Sequence, residues 1–216
     1  MTRPFKLIHA DDALLVLDKP AGLLAVPGRG EDKQDCLSAR VQQVYPEALV
    51  VHRLDMATSG LLVMARSPTA QRALNLGFEK RQVHKRYIAV VHGRLEPPDL
   101  KDGWGLIDLP LILDWLNRPR SIVDHAVGKP SRTRWRILAH DAAANATRVA
   151  LEPVTGRSHQ LRVHLQALGH PILGDPLYAP PEAFAAAPRL LLHAERLALF
   201  HPLTDQAMAF ESPVPF

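Results

Sequence analysis

A single carboxylate, Asp55, closes the tetrapeptide His52-Arg53-Leu54-Asp55 and stands just before the turn-prone Met-Ala-Thr-Ser-Gly of residues 56–60. Residues 61–65 follow as an apolar run short enough for a buried strand. A carboxylate at the mouth of such a strand is held by stiff backbone, the setting in which a scaffold usually carries chemistry. Supported by an arginine, one Asp can attack or stabilise a sugar carbon without metal or ATP. On spacing alone the simpler reading is structural, since Asp commonly caps turns that run into Thr, Ser and Gly.

Other chemistries lack their parts. The glycines of Pro27-Gly28-Arg29-Gly30 match neither GxGxxG nor a GK[ST] loop, so no nucleotide loop is expected. Eleven histidines invite a metal, yet none falls in HExxH. His159 and His164 lie about 140° apart around a helix rather than on one face. No metal site and no cofactor are therefore expected. A serine hydrolase would need a G-x-S-x-G elbow, and a glycosidase a second carboxylate matched to Asp55; neither is evident. The one cysteine, Cys36, excludes an intrachain disulfide and a thiolate metal cage, and reads as a buried, inert thiol within a helical apolar pattern.

A second informative stretch is TGRSHQLRVH, residues 155–164, which brings Arg157 and Arg162 close in sequence. Basic residues also gather at Lys80-Arg81 and Lys85-Arg86, just before Tyr87 opens a β-like run. A basic approach to an aromatic suits RNA, with charge meeting phosphate and the ring stacking on a base. A solvated helix end followed by a core tyrosine fits the same residues. Of 26 basic residues 19 are Arg, against a net charge of +4. Arg's planar fork favours bidentate phosphate contacts, although GC-rich codon usage gives the same composition.

The positioning elements are legible in outline. Residues 14–17 read as a strand, then comes the Lys19-Pro20-Ala21-Gly22 turn, then a short extended run at residues 23–26. Asp35 is expected to cap a helix reaching to about Tyr45, where Pro46 stops it. Ser67-Pro68 predicts a helix start, with Ala70, Ala73, Leu74, Gly77 and Phe78 at helical spacing. Residues 95–130 read as an irregular connection with an edge strand near residues 109–112. A hairpin is expected to join residues 135–139 to 148–151. Ser158 is expected to cap a helix closed by Gly169, and residues 170–178 form a Pro/Gly-bounded loop. A final strand pair spans residues 189–200 and 207–210.

No run approaches membrane-spanning length and the N-terminus lacks a signal-peptide core, so a cytoplasmic protein without membrane contact is expected. No long unexplained apolar face stands out, which points to a monomer.

The HRLDMATSG stretch, Lys19-Pro20-Ala21-Gly22 and the RSHQLRVH of residues 157–164 together resemble the RluA-type pseudouridine synthases. The likeness extends over nearly the whole chain, through Leu109-Pro110-Leu111-Ile112, Gly128-Lys129-Pro130 and residues 170–175. It is nearest to the small members that modify both 23S rRNA and tRNA stem-loops. HRLD followed by TSG is the specific signal. One departure is Leu116, between Trp115 and Asn117, where proline is expected; it bears on a loop and not on the chemistry.

The resemblance implies an enzyme that isomerises uridine in RNA by breaking the N1–C1′ bond and joining C5 to C1′. It implies Asp55 as the catalytic carboxylate, whether attacking C1′ or abstracting the C2′ proton, and Arg162 as the guanidinium that keeps it ionised. Tyr87 matches the ring that stacks on the uracil, and Arg53 the arginine that fills the place of the flipped base. Arg53 and Asp55 are two apart, hence on one side of an extended segment. Lys85, Arg86 and Arg157 are expected at phosphates from their charge and proximity. The fold implied is one α+β domain over residues 1–216, a mixed, mostly antiparallel sheet flanked by helices with an RNA-binding cleft. No S4 domain is expected ahead of Leu14.

Overall fold

The computed structural model describes residues 4–98 and 102–216, which hold twelve strands and four α-helices. In chain order they are β1 (Lys6–Ala10), β2 (Leu14–Lys19), α1 (Leu37–Gln42), β3 (Leu49–Val50), β4 (Ser59–Ala65), α2 (Pro68–Glu79) and β5 (His84–His92). Then follow β6 (Gly105–Asp108), β7 (Leu111–Leu113), β8 (Ser121–Val123), β9 (Arg132–Asp141) and β10 (Ala146–Pro153). The chain ends with α3 (Gln160–Ala167), α4 (Pro181–Ala185), β11 (Leu192–Phe200) and β12 (Ala207–Glu211). Two units divide it, one holding residues up to Lys85 plus His193–Pro215, the other Arg86–Leu192 with Phe216.

In the first unit β4 is the central strand, and all seven of its residues are buried. Its apolar run has no polar alternation because both of its faces are covered. β2 pairs antiparallel along one edge, from Leu14 against Ala65 to Lys19 against Gly60. The other edge is shared: β11 joins in parallel at Ser59 and Gly60, while β3 takes Met64 and Ala65. β1 extends the sheet beyond β2, and β12 pairs antiparallel with β11. Helix α2 starts as its sequence dictates, with the Ser67 hydroxyl accepting from Ala70 N at 3.2 Å and Pro68 at the first turn. Its Ala70 and Leu74 pack on Leu14, Val16, Leu61, Val63, Leu197 and Leu199. Burying such side chains is worth about 1.5–3 kcal/mol each, which secures the helix on the sheet.

In the second unit β10 is central, antiparallel to β5 on one side and β9 on the other, and β6 borders β9. The expected hairpin is β9–β10, longer than its apolar residues alone suggest, and it turns through residues 142–145. β7 and β8 form a separate two-stranded ribbon. The stretch expected to be irregular thus carries three short strands besides its loops; residues 99–101 of it lie outside the described residues.

Two helix caps differ from expectation. Helix α1 starts at Leu37 behind Cys36 and ends at Gln42, whereas Asp35 forms a bidentate pair with Arg40 at 2.7 Å instead of capping backbone. Cys36 is fully buried, as expected, but sits at the cap position and not within the helix. Helix α3 begins behind His159, which adopts the left-handed region at φ 55°, so Ser158 lies one residue too early to cap it. In place of a hydroxyl cap, Gln160 reaches back to accept from Arg157 N at 3.0 Å. Gly169 closes the helix as expected: its N–H reaches Gln166 O while His170 N reaches Leu165 O, the paired bonds of a Schellman end.

Candidate active site

Asp55 lies four residues ahead of β4, half-buried, with exposed Arg53 and Met56 around it and Leu54 buried beneath. The alternation of exposed Arg53, buried Leu54 and half-buried Asp55 is that of extended backbone. This segment is fastened from several directions. Thr58 N donates to Asp55 O at 3.1 Å and closes the turn that the sequence suggested. Upstream, the His52 ring turns inward: its Nε2 accepts from Val63 N at 3.0 Å, and it lies 4.7 Å from the Phe78 ring. Burial pushes the His52 imidazole down to about 3, and the charge of Lys85 adds to this, so His52 is a neutral acceptor at working pH.

The Lys19-Pro20-Ala21-Gly22 turn supplies the second fastening. Lys19 is wholly buried, and its ammonium donates to Pro20 O, Leu23 O and Met56 O at 2.9, 2.7 and 3.0 Å. Gly22 N also donates to Met56 O, at 2.9 Å. A buried charge survives only if its donors are satisfied, so this lysine stitches the turn to the residue next to Asp55. Downstream, Ser59 Oγ bonds His193 Nδ1 at 2.8 Å. Gly60 has φ 111°, and a Cβ there would lie 2.3 Å from Ala194 O, so glycine alone fits where β4 meets β11.

In the second unit Tyr87 is half-buried on β5, opposite Leu151 of β10, and Arg86 beside it is half-buried too. Arg157 is exposed ahead of α3. Arg162 is different: only 3% exposed, it is seated by its Nε and Nη2 on both oxygens of the fully buried Asp175, at 2.7 and 2.6 Å. Arg162 thus lies on the buried side of α3. Asp175 is itself oriented, because Oδ1 also accepts from Leu177 N and Tyr178 N at 2.9 and 3.2 Å. The Tyr178 ring covers Arg162 with its centroid 5.0 Å from Cζ. The Tyr178 hydroxyl accepts from Ser121 N and pairs with His159 Nδ1, both at 2.7 Å. Gly174 approaches Arg189 O so closely at φ 71° that a side chain is impossible there.

Among the described residues no three His, Cys, Asp or Glu side chains gather as a metal cage requires. Among the same described residues no helix is long and apolar enough to cross a membrane.

A model of the family described as RNA pseudouridylate synthase matches residues 13–167, most of the chain. The chain belongs to that family. It is 51% identical over 210 residues to the dual-specificity RNA pseudouridine synthase RluA of Escherichia coli K12, covering 97% of this chain and 93% of that one. The RluA of Yersinia pestis is 48% identical over the same share of this chain and 99% of its own length. Among solved structures, human RNA pseudouridylate synthase domain containing 1 superposes with TM-score 0.79 at 28% identity, over 99% of this chain and 85% of that one.

This pseudouridine synthase is thus an isomerase of RNA with an α+β fold, as the HRLD and KPAG motifs implied. The site residues expected from sequence divide by unit: Arg53, Asp55 and Lys85 in the first, Arg86, Tyr87, Arg157 and Arg162 in the second. Lys85 has a partner of its own, since its ammonium stands 5.6 Å over the Phe78 ring and burial lowers its pKa. Sequence reading passed over Lys19, His52, Asp175 and Tyr178 as supports. Asp175 falls in the Pro/Gly-bounded loop of residues 170–178. A lone acidic residue between Gly174 and Pro176 gave no periodicity to follow.

Proposed function

We propose that this pseudouridine synthase is a dual-specificity enzyme, converting particular uridines of 23S rRNA and of tRNA stem-loops to pseudouridine. The supporting observation is the half-buried Asp55 on a segment tied down at His52, Met56, Thr58 and Gly60, in a chain half identical to dual-specificity relatives along nearly its full length. A nucleophile or base held this firmly keeps its geometry through the reaction.

In this reading Asp55 is the catalytic carboxylate, acting at C1′ or at the C2′ proton. The N1–C1′ bond breaks, the freed uracil turns, C5 bonds to C1′, and the C5 proton is lost to restore the ring. Tyr87 stacks on the uracil and its hydroxyl helps to remove that proton. Arg162 keeps the carboxylate ionised, and Arg53 fills the place of the flipped base. A base stacked on an aromatic recovers about 1–3 kcal/mol, comparable with the few kcal/mol needed to extrude it. Lys85, Arg86 and Arg157 contact phosphates. Residues 1–216 act as one catalytic domain, a monomer of the cytoplasm, without metal or cofactor.

The decisive variant is Asp55→Asn. RNA binding is expected to persist while pseudouridine formation, read by mass spectrometry of digested RNA, stops; an active variant ends the assignment. Turnover in excess EDTA is expected to match that without it. Loss of rRNA and tRNA pseudouridines from a deletion strain tests the dual specificity.

A further inference from the structure

We infer that His193 is a positioning residue for the reaction: with Ser59, Ser212 and Asp18 it forms a one-way hydrogen-bond chain that fixes where the Asp55 segment enters β4. The inference deepens the reading of Asp55 as the catalytic carboxylate and rests on it. All four residues belong to the first unit. Ser59, His193 and Ser212 are at most 3% exposed, a costly place for polar side chains unless each finds a partner.

Strand register gathers them. His193 pairs with Ser59 where β11 runs parallel to β4, and Asp18 of β2 pairs with Leu61. Ser212 follows β12, its N–H donating to Glu195 O at 2.8 Å. Ser59 and Leu61 share one face of β4 by alternation, the face on which α2 packs through Leu61 and Val63. Apolar packing on that face reaches Leu61. Ser59, two residues nearer Asp55, opens the polar chain instead.

The chain has a single direction. Ser212 Oγ donates to Asp18 Oδ2 at 2.8 Å, since a carboxylate can only accept. His193 Nε2 stands 3.3 Å from Ser212 O and 3.1 Å from Ser212 Oγ. A backbone carbonyl has no proton to give, so Nε2 carries the ring proton. Nδ1 of the neutral ring is then an acceptor, and the Ser59 hydroxyl donates to it at 2.8 Å. At the outer end Lys6 Nζ donates to the same Asp18 oxygen at 2.6 Å. Each bond orients the next, and a satisfied chain in a low-dielectric interior stiffens what it joins. What it joins is the mouth of β4: Ser59 follows Thr58, whose N–H closes the turn on Asp55 O. Apolar side chains of similar volume would cement this core as well or better, so the polar chain serves position rather than cohesion.

The test uses the full chain with an in vitro tRNA transcript at a temperature where urea unfolding shows every variant folded. Affinity is read by fluorescence anisotropy, and the chemical step by single-turnover tritium release from 5-tritiated uridine. Ser59→Ala and His193→Gln are each expected to slow that step about tenfold with RNA affinity unchanged. The glutamine amide reaches Ser212 but leaves the place of Nδ1 empty. His193→Asn puts a carbonyl oxygen in that place and is expected to recover most of the rate, although it loses Ser212. The double variant Ser59→Ala/His193→Gln is expected to be no slower than either single one, because the two act through one bond. Folded variants with the parent's rate overturn the proposal, as does an asparagine variant no faster than the glutamine one, or losses that multiply in the double variant. Asp55→Asn separates the two readings. If it is inactive while the His193 and Ser59 variants match the parent, only the positioning role fails; if it is active, the catalytic reading fails and takes this inference with it.

Discussion

Arg162 and Asp175 form a buried pair in which the guanidinium gives one full edge to a carboxylate that two backbone N–H groups also orient. Breaking such a pair from one side strands a charge in a dry interior. Asp175→Ala is therefore expected to cost about 3–5 kcal/mol of stability, measured by urea unfolding, and to lower turnover through a displaced Arg162. Lysine cannot replace the arginine, because an ammonium lacks the planar fork that spans both Asp175 oxygens. At Tyr87 the ring and the hydroxyl carry different duties in the proposed mechanism. Tyr87→Phe should keep RNA affinity near that of the parent while turnover falls on the order of a hundredfold, checked by single-turnover kinetics.

Among elements, β4 and the segment before it are the most constrained. Lys19, His52, Ser59 and Gly60 all hold backbone near Asp55, and each does so through a bond or approach that a substitution removes. Gly60→Ala forces a Cβ against the Ala194 backbone at a left-handed φ, with an expected loss of roughly 3 kcal/mol or more by urea unfolding. Lys19→Met keeps the stem but leaves the Pro20 and Leu23 carbonyls short of a donor, at about 1–3 kcal/mol for each group not rescued by water, while Met56 O keeps its bond from Gly22 N. Its effect on kcat should exceed that on RNA affinity, because the turn it anchors abuts Asp55.

For the molecule as a whole, buried imidazoles set the acid limit of stability. The folded state holds His52 at about 3, below its value when unfolded, so below about pH 6.5 the unfolded chain takes up a proton that the folded chain refuses. Stability contributed by this residue is complete above that pH and declines by roughly 1.4 kcal/mol per unit as pH falls toward 3. His164, lowered by burial despite its bond to Leu109 O, acts in the same direction. Burial alone would raise Asp11, but bonds from His9 and from the Leu14 and Ala13 N–H groups outweigh it and bring it to about 2. Its contribution is lost only as pH drops from about 4 to 2. Urea midpoints measured from pH 7 to 4 should fall steadily in the parent and less steeply in His52→Gln at matched folding.

What could be read from sequence was local or carried by motif. The apolar run of β4, the Ser67-Pro68 start of α2, the Gly169 end of α3 and the β9–β10 hairpin follow from residue types at short spacing, because sterics and capping act over a few residues. The family was legible because HRLD, TSG and KPAG stand in register along the chain. The caps at Asp35 and Ser158 went astray for the same local reason: an acid or hydroxyl near a helix start has competing partners, Arg40 in one case and a left-handed His159 displacing the start in the other. Only the tertiary structure paired Arg162 with Asp175, 13 residues on in a loop, and brought Lys19 to Met56 across 37 residues. Buried polar groups must find partners wherever the fold supplies them, and that choice depends on distance in space rather than along the chain.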